Sequence, residues 1–307
     1  MKKGLFIINP SSGRQNIMST VESIIGKLVM KGISNSAEVF YTKKKDDAKN
    51  RASILKPNEF DFVVAVGGDG TLNEVASGLY LSNSHIPLAV ISAGTVNDFA
   101  NYLNLPQEAE SFVSMIEKFL CKDVDLGKIN DEYFINVVAG GMLTDIAYKV
   151  PKDKKATMGK MAYYTEFLLE LPKQMTKSGL KLKVESEEYY DETDAIVFLI
   201  TNTKSVGGME KALPLASVSD GQLDVLILKR ISPFSTPDAL IKFIQGEHYK
   251  HPDIEYFQTK NIHIELTEGD EIAIDYDGEL LEENLTKETS IDVSIIEKAL
   301  KVIVPKL

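Results

Sequence analysis

The sequence predicts two domains: an open α/β domain first, then a mainly antiparallel β domain. Three observations carry this. Strand and helix signals alternate through residues 1–127. Within that stretch the expected strand Phe60–Val66 is apolar apart from Asp61, and its unbroken Phe62–Val66 run is the mark of a strand buried on both faces of a parallel sheet. Beyond residue 128 the pattern turns to short strands joined by turns. The predicted domains are therefore 1–127, which 290–307 could complete, and 128–289.

The elements follow in order. Leu5–Ile8 reads as a strand. Lys2 and Lys3 before it carry the charge of a signal peptide, but the apolar run is too short and Asn9-Pro10 breaks it. Gln15–Lys31 reads as a helix with Ile17, Val21, Ile24, Ile25 and Leu28 on one face. Then come a strand at Glu38–Tyr41, a charged helix at Asp46–Leu55, the Phe60–Val66 strand and a helix at Leu72–Leu81. Pro87–Ser92 is a strand, and Asn97–Leu103 and Ser111–Leu120 are helical. In the second domain Tyr133–Ala139, Leu180–Glu187, Ala195–Thr201, Leu223–Leu228, Asn261–Leu266 and Glu271–Tyr276 read as strands, with helices at Lys160–Gln174 and Thr236–Gln245. The final Leu300–Val304 run could return to either domain.

Composition narrows the function. The 307 residues are 44% hydrophobic and 26% charged, the balance of a folded globular chain. No segment approaches the roughly 18 apolar residues that span a bilayer. The net charge of −11 argues against a general nucleic-acid binder. The single cysteine, Cys121, rules out an internal disulfide and suits a reducing compartment, so a cytoplasmic location is expected. His248 and His251 lack acidic or cysteine partners at zinc-ligand spacing and read as loop residues.

The chemistry is concentrated in glycine-rich loops. Gly67-Gly68-Asp69-Gly70-Thr71-Leu72-Asn73-Glu74 joins a buried strand to a helix. Glycines let backbone N–H groups approach a phosphate closely, and a helix start adds about half a positive charge. Asp69 would repel a bare phosphate and makes sense with magnesium between them. The bland alternative is a βα turn with Asp or Thr as helix cap. Two more loops, Asn9-Pro10-Ser11-Ser12-Gly13 and Gly94-Thr95-Val96-Asn97-Asp98-Phe99-Ala100, also run from strand to helix. Three such loops at the carboxyl ends of one sheet favour a nucleotide. None is a P-loop, and none has the spaced glycines of a dinucleotide fold.

These residues, with Val124-Asp125-Leu126-Gly127, Asp220-Gly221 and Asp277-Gly278-Glu279, resemble the soluble diacylglycerol kinases and their sphingosine-, ceramide- and bacterial lipid-kinase relatives. The resemblance runs the length of the chain. It implies an ATP-dependent lipid kinase that makes phosphatidic acid from diacylglycerol. It implies that Asn9, Pro10, Ser11, Ser12, Gly13, Thr42, Gly67, Gly68, Asp69, Gly70, Thr71, Leu72, Asn73, Glu74 and Thr95 bind nucleotide. It implies that Asp69, Asp98 and Asp125 organise catalytic magnesium, and that Glu279 is the base towards the lipid hydroxyl. A structural magnesium is implied at Asp220, flanked by Ser217 and Gln222. Val96 departs from the family pattern, which often has Gly or Thr there. Read without the resemblance, Asp277-Gly278-Glu279 is a hairpin turn, and Ser219-Asp220-Gly221 is simply a turn.

The lipid lies in a bilayer, and Lys149, Lys152, Lys154, Lys155 and Lys160 form a basic island in an acidic chain. Each such lysine near an anionic surface is worth about 1 kcal/mol, so the island could dock the enzyme peripherally. A solvated loop explains the same residues. A homodimer is expected by analogy with the family. An NAD kinase, which shares the Gly-Gly-Asp-Gly-Thr loop, and a nucleotide-binding regulator without turnover are the competing readings.

Overall fold

The computed structural model describes residues 1–12, 17–141, 180–209, 211–230 and 236–306. The chain divides into two compact units, Met1–Asp125 with Glu297–Leu307, and Leu126–Ile296.

The first unit is a parallel sheet with helices. Its strands are β1 (Lys2–Ile8), β2 (Ser34–Tyr41), β3 (Phe62–Gly67) and β4 (Leu88–Ser92). They lie in the order β2-β1-β3-β4, in register from Ile8↔Tyr41 and Ile8↔Val66 to Gly67↔Ser92. Beside β4 runs the end of β15 (Ser290–Val304), through Val302↔Leu88. Strands β3 and β4 are buried along their whole length, as the apolar run requires, whereas edge strand β2 exposes most of its residues. The helices are α1 (Ile17–Met30), α2 (Asp47–Ser53), α3 (Asp69–Ser82), α4 (Asp98–Tyr102) and α5 (Ala109–Lys118). Helix α1 buries Ile17, Val21, Ile24 and Leu28, one stripe at helical spacing. It packs on α5, while α2 packs on α3. Right-handed crossovers put those pairs on opposite faces, because the chain moves outward from β1 to β2 and then back across β1 to β3. The reversal makes the gap between β1 and β3 a topological switch point.

The second unit is antiparallel throughout its described strand pairs. It holds the end of β5 (Leu120–Ile129), then β6 (Glu132–Phe134), β7 (Val137–Gly141), β8 (Leu180–Glu185), β9 (Tyr190–Thr201), β10 (Leu223–Lys229), β11 (Ile254–Thr259), β12 (Asn261–Glu268), β13 (Ile274–Tyr276), β14 (Glu279–Leu280) and the start of β15. Strand β9 pairs with β8 through its first half and with β7 and β10 through its second. Alternate residues of β9 feed two cores: Phe198 and Ile200 join Phe134 and Ile264, while Val197 and Leu199 join Leu213, Leu226 and Ala239. Ala239 comes from α6 (Thr236–Gln245). Phenylalanine rings cover strand glycines at the registered pairs Gly4–Phe62, Gly127–Phe134 and Gly140–Phe198. A Cβ on those glycines would come within 2.5, 2.2 and 2.3 Å of the ring.

Several expectations are corrected. Strand β5 was not anticipated, because Lys122, Asp123 and Asp125 interrupt its apolar pattern. Helix α5 ends at Lys118, where Phe119 turns left-handed (φ 54°) and starts the approach to β5. The single strand expected at Tyr133–Ala139 is broken at Ile135-Asn136. Strand β11 was also missed. Only Ile274–Tyr276 of the expected Glu271–Tyr276 strand forms a ladder, with Ile272 making a lone bridge to Leu285. The terminal run belongs to a 15-residue strand. His248 and His251 are buried in the second unit, with His248 Nε2 2.7 Å from the Ala212 carbonyl. The helix expected at Lys160–Gln174, the lysine island at Lys149–Lys160, and Gly13 lie outside the described residues.

Candidate active site

In the first unit the carboxyl ends of four strands are stitched together by backbone hydrogen bonds. The Asn9 amide donates to the Val66 carbonyl (2.9 Å), the Thr42 amide to Ile8 (2.9 Å) and the Ala93 amide to Gly67 (2.7 Å). This edge, at the β1/β3 switch point, is where open α/β sheets bind ligands. Asn9 Nδ2 donates to Thr71 Oγ1 at 3.0 Å, joining the β1 loop to the first turn of α3. Asn9 Oδ1 accepts from the Ser11 amide (3.1 Å) and hydroxyl (2.7 Å), which folds the loop over. Pro10, Ser11 and Thr95 are exposed, and Ser12 and Thr42 half-buried.

Helix α3 starts at Asp69 with Gly68 as N-cap in an extended conformation. A glycine cap brings no oxygen of its own to the first turn, and a helix start of this kind attracts an anion. Glycine is also required by packing. A Cβ on Gly67 would lie 2.6 Å from the Thr71 side chain, and one on Gly94 would lie 2.9 Å from Gly68 Cα. The β3 and β4 loops thus touch backbone to backbone. Asn97 holds the β4 loop: its Oδ1 accepts the Gly94 amide (3.0 Å) and its Nδ2 donates to the Gly94 carbonyl (2.9 Å). Its backbone is left-handed, φ 58°.

Asp69 and Asp98 sit at the heart of this edge. The Asn97 amide donates to Asp69 Oδ2 at 2.9 Å. Burial and then the Asp98 charge push the Asp69 carboxyl up to about 6, against the pull of nearby backbone amides. Asp98 is itself 5% exposed. Two neighbouring carboxyls beside a helix start, one buried and one half-buried, fit a divalent cation, which would relieve both charges.

The rest of the Gly67–Glu74 segment faces inward. Leu72 and Asn73 are buried, and Ser77 Oγ donates to Asn73 Oδ1 at 3.4 Å. Glu74 Oε2 accepts the Ala48 amide (3.1 Å) at the start of α2, and burial raises its carboxyl above the usual range. Asp125 is 1% exposed and accepts the Lys298 amide at 2.6 Å, tying β5 to a left-handed residue of β15 (φ 51°).

In the second unit Glu279 opens β14 and pairs with Tyr276 across a two-residue turn. Asp277 (φ 52°) and Gly278 (φ 89°) form that turn. Positive φ at both central positions is the type I′ arrangement whose twist suits a hairpin. Glu279 is half-buried and Leu280 is 41% exposed. The Asp277 carboxylate accepts the amides of Ile135 (2.6 Å), Asn136 (3.0 Å) and Val137 (2.9 Å). Sequence reasoning assigned Asp277 no role. The Asp-Gly turn was legible, but nothing in the sequence pointed to partners 140–142 positions away.

Asp220 lies in an exposed turn before β10, where its Oδ1 accepts the Gln222 amide at 3.1 Å, with half-buried Ser217 nearby in sequence. Behind it Asp224 takes the Tyr256 hydroxyl and Gln258 amide, and burial pushes its carboxyl up to about 6.

Comparison with known proteins gives the family. Residues 3–129 match the diacylglycerol kinase catalytic domain, and residues 136–304 match the YegS C-terminal NAD kinase beta sandwich-like domain. A Staphylococcus saprophyticus protein named diacylglycerol kinase is 34% identical over 281 residues, 91% of this chain and 90% of that one. The chain belongs to the diacylglycerol kinase family. A Bacillus subtilis diacylglycerol kinase is 32% identical over 284 residues, 91% of this chain and 90% of its own length. A Bacillus anthracis diacylglycerol kinase crystal structure aligns with a TM-score of 0.77 at 26% identity, covering 99% of this chain and 97% of that one. This member of the lipid kinases therefore carries both family domains. Among its described residues no helix is long and apolar enough to cross a membrane.

Proposed function

We propose that the enzyme transfers the γ-phosphoryl group of ATP to the free hydroxyl of diacylglycerol, forming phosphatidic acid and ADP. The neighbouring Asp69 and Asp98 carboxyls, half-buried and buried, beside the glycine-capped start of α3 are the observation that carries this reading. The amides of Gly68–Thr71 and the Asn9–Ser12 and Thr95 loops hold the phosphates, with Thr42 at the rim. Asp69 and Asp98 hold magnesium, which when bound screens the phosphate charge. Asp125, which accepts the Lys298 amide, is proposed to help organise that magnesium and its neighbouring groups.

Glu279 is the base. A carboxylate is far too weak a base to ionise an alcohol in the ground state. Phosphoryl transfer passes through a loose transition state, so the proton leaves late and the main task is to aim the hydroxyl. As the lipid oxygen bonds to phosphorus, the bond from phosphorus to the departing ADP oxygen breaks and Glu279 takes the hydroxyl proton. Asp220, with backbone oxygens of Ser217 and Gln222, is proposed as a second, structural magnesium site. Lys149, Lys152, Lys154, Lys155 and Lys160 are proposed to dock the enzyme on anionic lipid, and Lys→Gln changes there would weaken vesicle sedimentation while sparing ATP binding.

The test of substrate is transfer of label from ATP to a panel of acceptors in mixed micelles with magnesium. Label in phosphatidic acid is expected. Label on a sphingoid base or ceramide would keep the mechanism and change the substrate. Label on NAD alone, or on no acceptor despite ATP binding, would overturn the lipid-kinase assignment.

A further inference from the structure

We infer that Asp277 is a positioning residue for Glu279: its carboxylate locks the hairpin that carries Glu279 onto the bend at Ile135–Val137. The inference rests on the reading of Glu279 as the base.

The bend is where β6 gives way to β7, so Ile135 and Asn136 lie outside both strands, and their backbone groups and those of Val137 at the strand start need partners. Two buried side chains and their backbones supply them. The three amides of Ile135, Asn136 and Val137 donate to the Asp277 carboxylate. The Ile135 carbonyl accepts from Asn202 Nδ2 (3.2 Å) and the Asn136 carbonyl from the Asn202 amide (2.9 Å). The Val137 carbonyl accepts from the Asp277 amide (3.0 Å). All six backbone groups are thus engaged, with Asp277 7% and Asn202 0% exposed.

The choice of residue follows. A type I′ turn accepts Asn as readily as Asp at this position. Three converging donors need an acceptor with no hydrogens, and an ionised carboxylate is acceptor-only, whereas an Asn would turn an NH₂ group towards an amide. Charge-assisted bonds of this kind are the shorter and stronger ones, and the Ile135 contact at 2.6 Å is of that kind. With both oxygens holding the bend, Asp277 is placed to aim its neighbour. Glu279 stands two residues on, fixed by its pairing with Tyr276 and by the Gly278 amide, which donates to Asp275 Oδ1 at 3.0 Å. A small rotation of the turn would swing the Glu279 carboxylate, and misplacement of about 1 Å can cost about 100-fold in rate.

The test compares wild type, Asp277→Asn, Glu279→Gln and the double variant for label transfer to diacylglycerol, ATP binding and thermal unfolding. The expected result is that Asp277→Asn lowers kcat about tenfold or more with ATP affinity kept. In the Glu279→Gln background it should cost nothing further, since residues that act as a unit are not additive. Equal losses in both backgrounds, or wild-type kcat in Asp277→Asn, would overturn the inference. Full activity in Glu279→Gln would instead remove the base reading, and this inference with it. Should Asp277→Asn fail to fold, amide hydrogen exchange in the wild type still decides. The clamp predicts Ile135, Asn136 and Val137 amides protected like those of β7; exchange at loop rates would contradict it.

Discussion

The Asn97 amide lies 2.9 Å from Asp69 Oδ2, so the loop after β4 is tied directly to the first residue of α3. Asn97 also closes its own loop through both Gly94 backbone groups and adopts a left-handed conformation. Replacing Asn97 by Ala removes two buried hydrogen bonds of about 1 kcal/mol each and adds about 1 kcal/mol of backbone strain. Asn97→Ala should therefore lose about 2–3 kcal/mol in denaturant unfolding. Asn97→Gly, which keeps the conformation, should lose less.

Gly94→Ala attacks the same junction by bulk. The new Cβ would lie 2.9 Å from Gly68 Cα, so the two loops must separate. ATP affinity measured by calorimetry should fall by about tenfold or more, because the loop proposed to hold the phosphates moves while its chemistry is intact.

Asp69 makes ligand-free stability depend on pH. Its carboxyl is raised from 3.8 to about 6. Between those values the folded chain keeps a proton that the unfolded chain releases, so stability falls as pH rises from about 4 to about 6. Asp224, also raised to about 6, acts in the same direction. The melting temperature of Asp69→Asn should fall less steeply than that of wild type across this window, and the difference isolates Asp69.

Much of the first unit was legible because its signals are local. Phe62–Gly67 is apolar along its length, and Asp69 follows it directly into a helix. What was not legible depends on distant partners. Glu74 reads as part of the phosphate loop, yet its carboxylate caps α2 through Ala48. Strand β5 hides behind four charged residues, of which buried Asp125 is satisfied by Lys298, 173 positions away. The break at Ile135-Asn136 exists because the Asp277 carboxylate accepts its amides and Asn202 donates to its carbonyls, and periodicity carries no trace of that.

Glu110 of α5 receives Lys27 Nζ from α1 at 2.6 Å and Lys31 Nζ from just past the end of α1. These cations hold its carboxyl down at about 2. A depressed carboxyl stabilises above the usual glutamate range and loses that contribution as pH falls towards 2. The pair is solvent-exposed, so Glu110→Gln should lower the melting temperature slightly at neutral pH, and high salt should erase the difference.

The central claim is tested most directly by Glu279→Gln, measured for ATP binding and for phosphate transfer to diacylglycerol in the same preparation. The account predicts wild-type ATP affinity with transfer reduced about 100-fold or more, the usual scale for losing a general base. Transfer at the wild-type rate would contradict it.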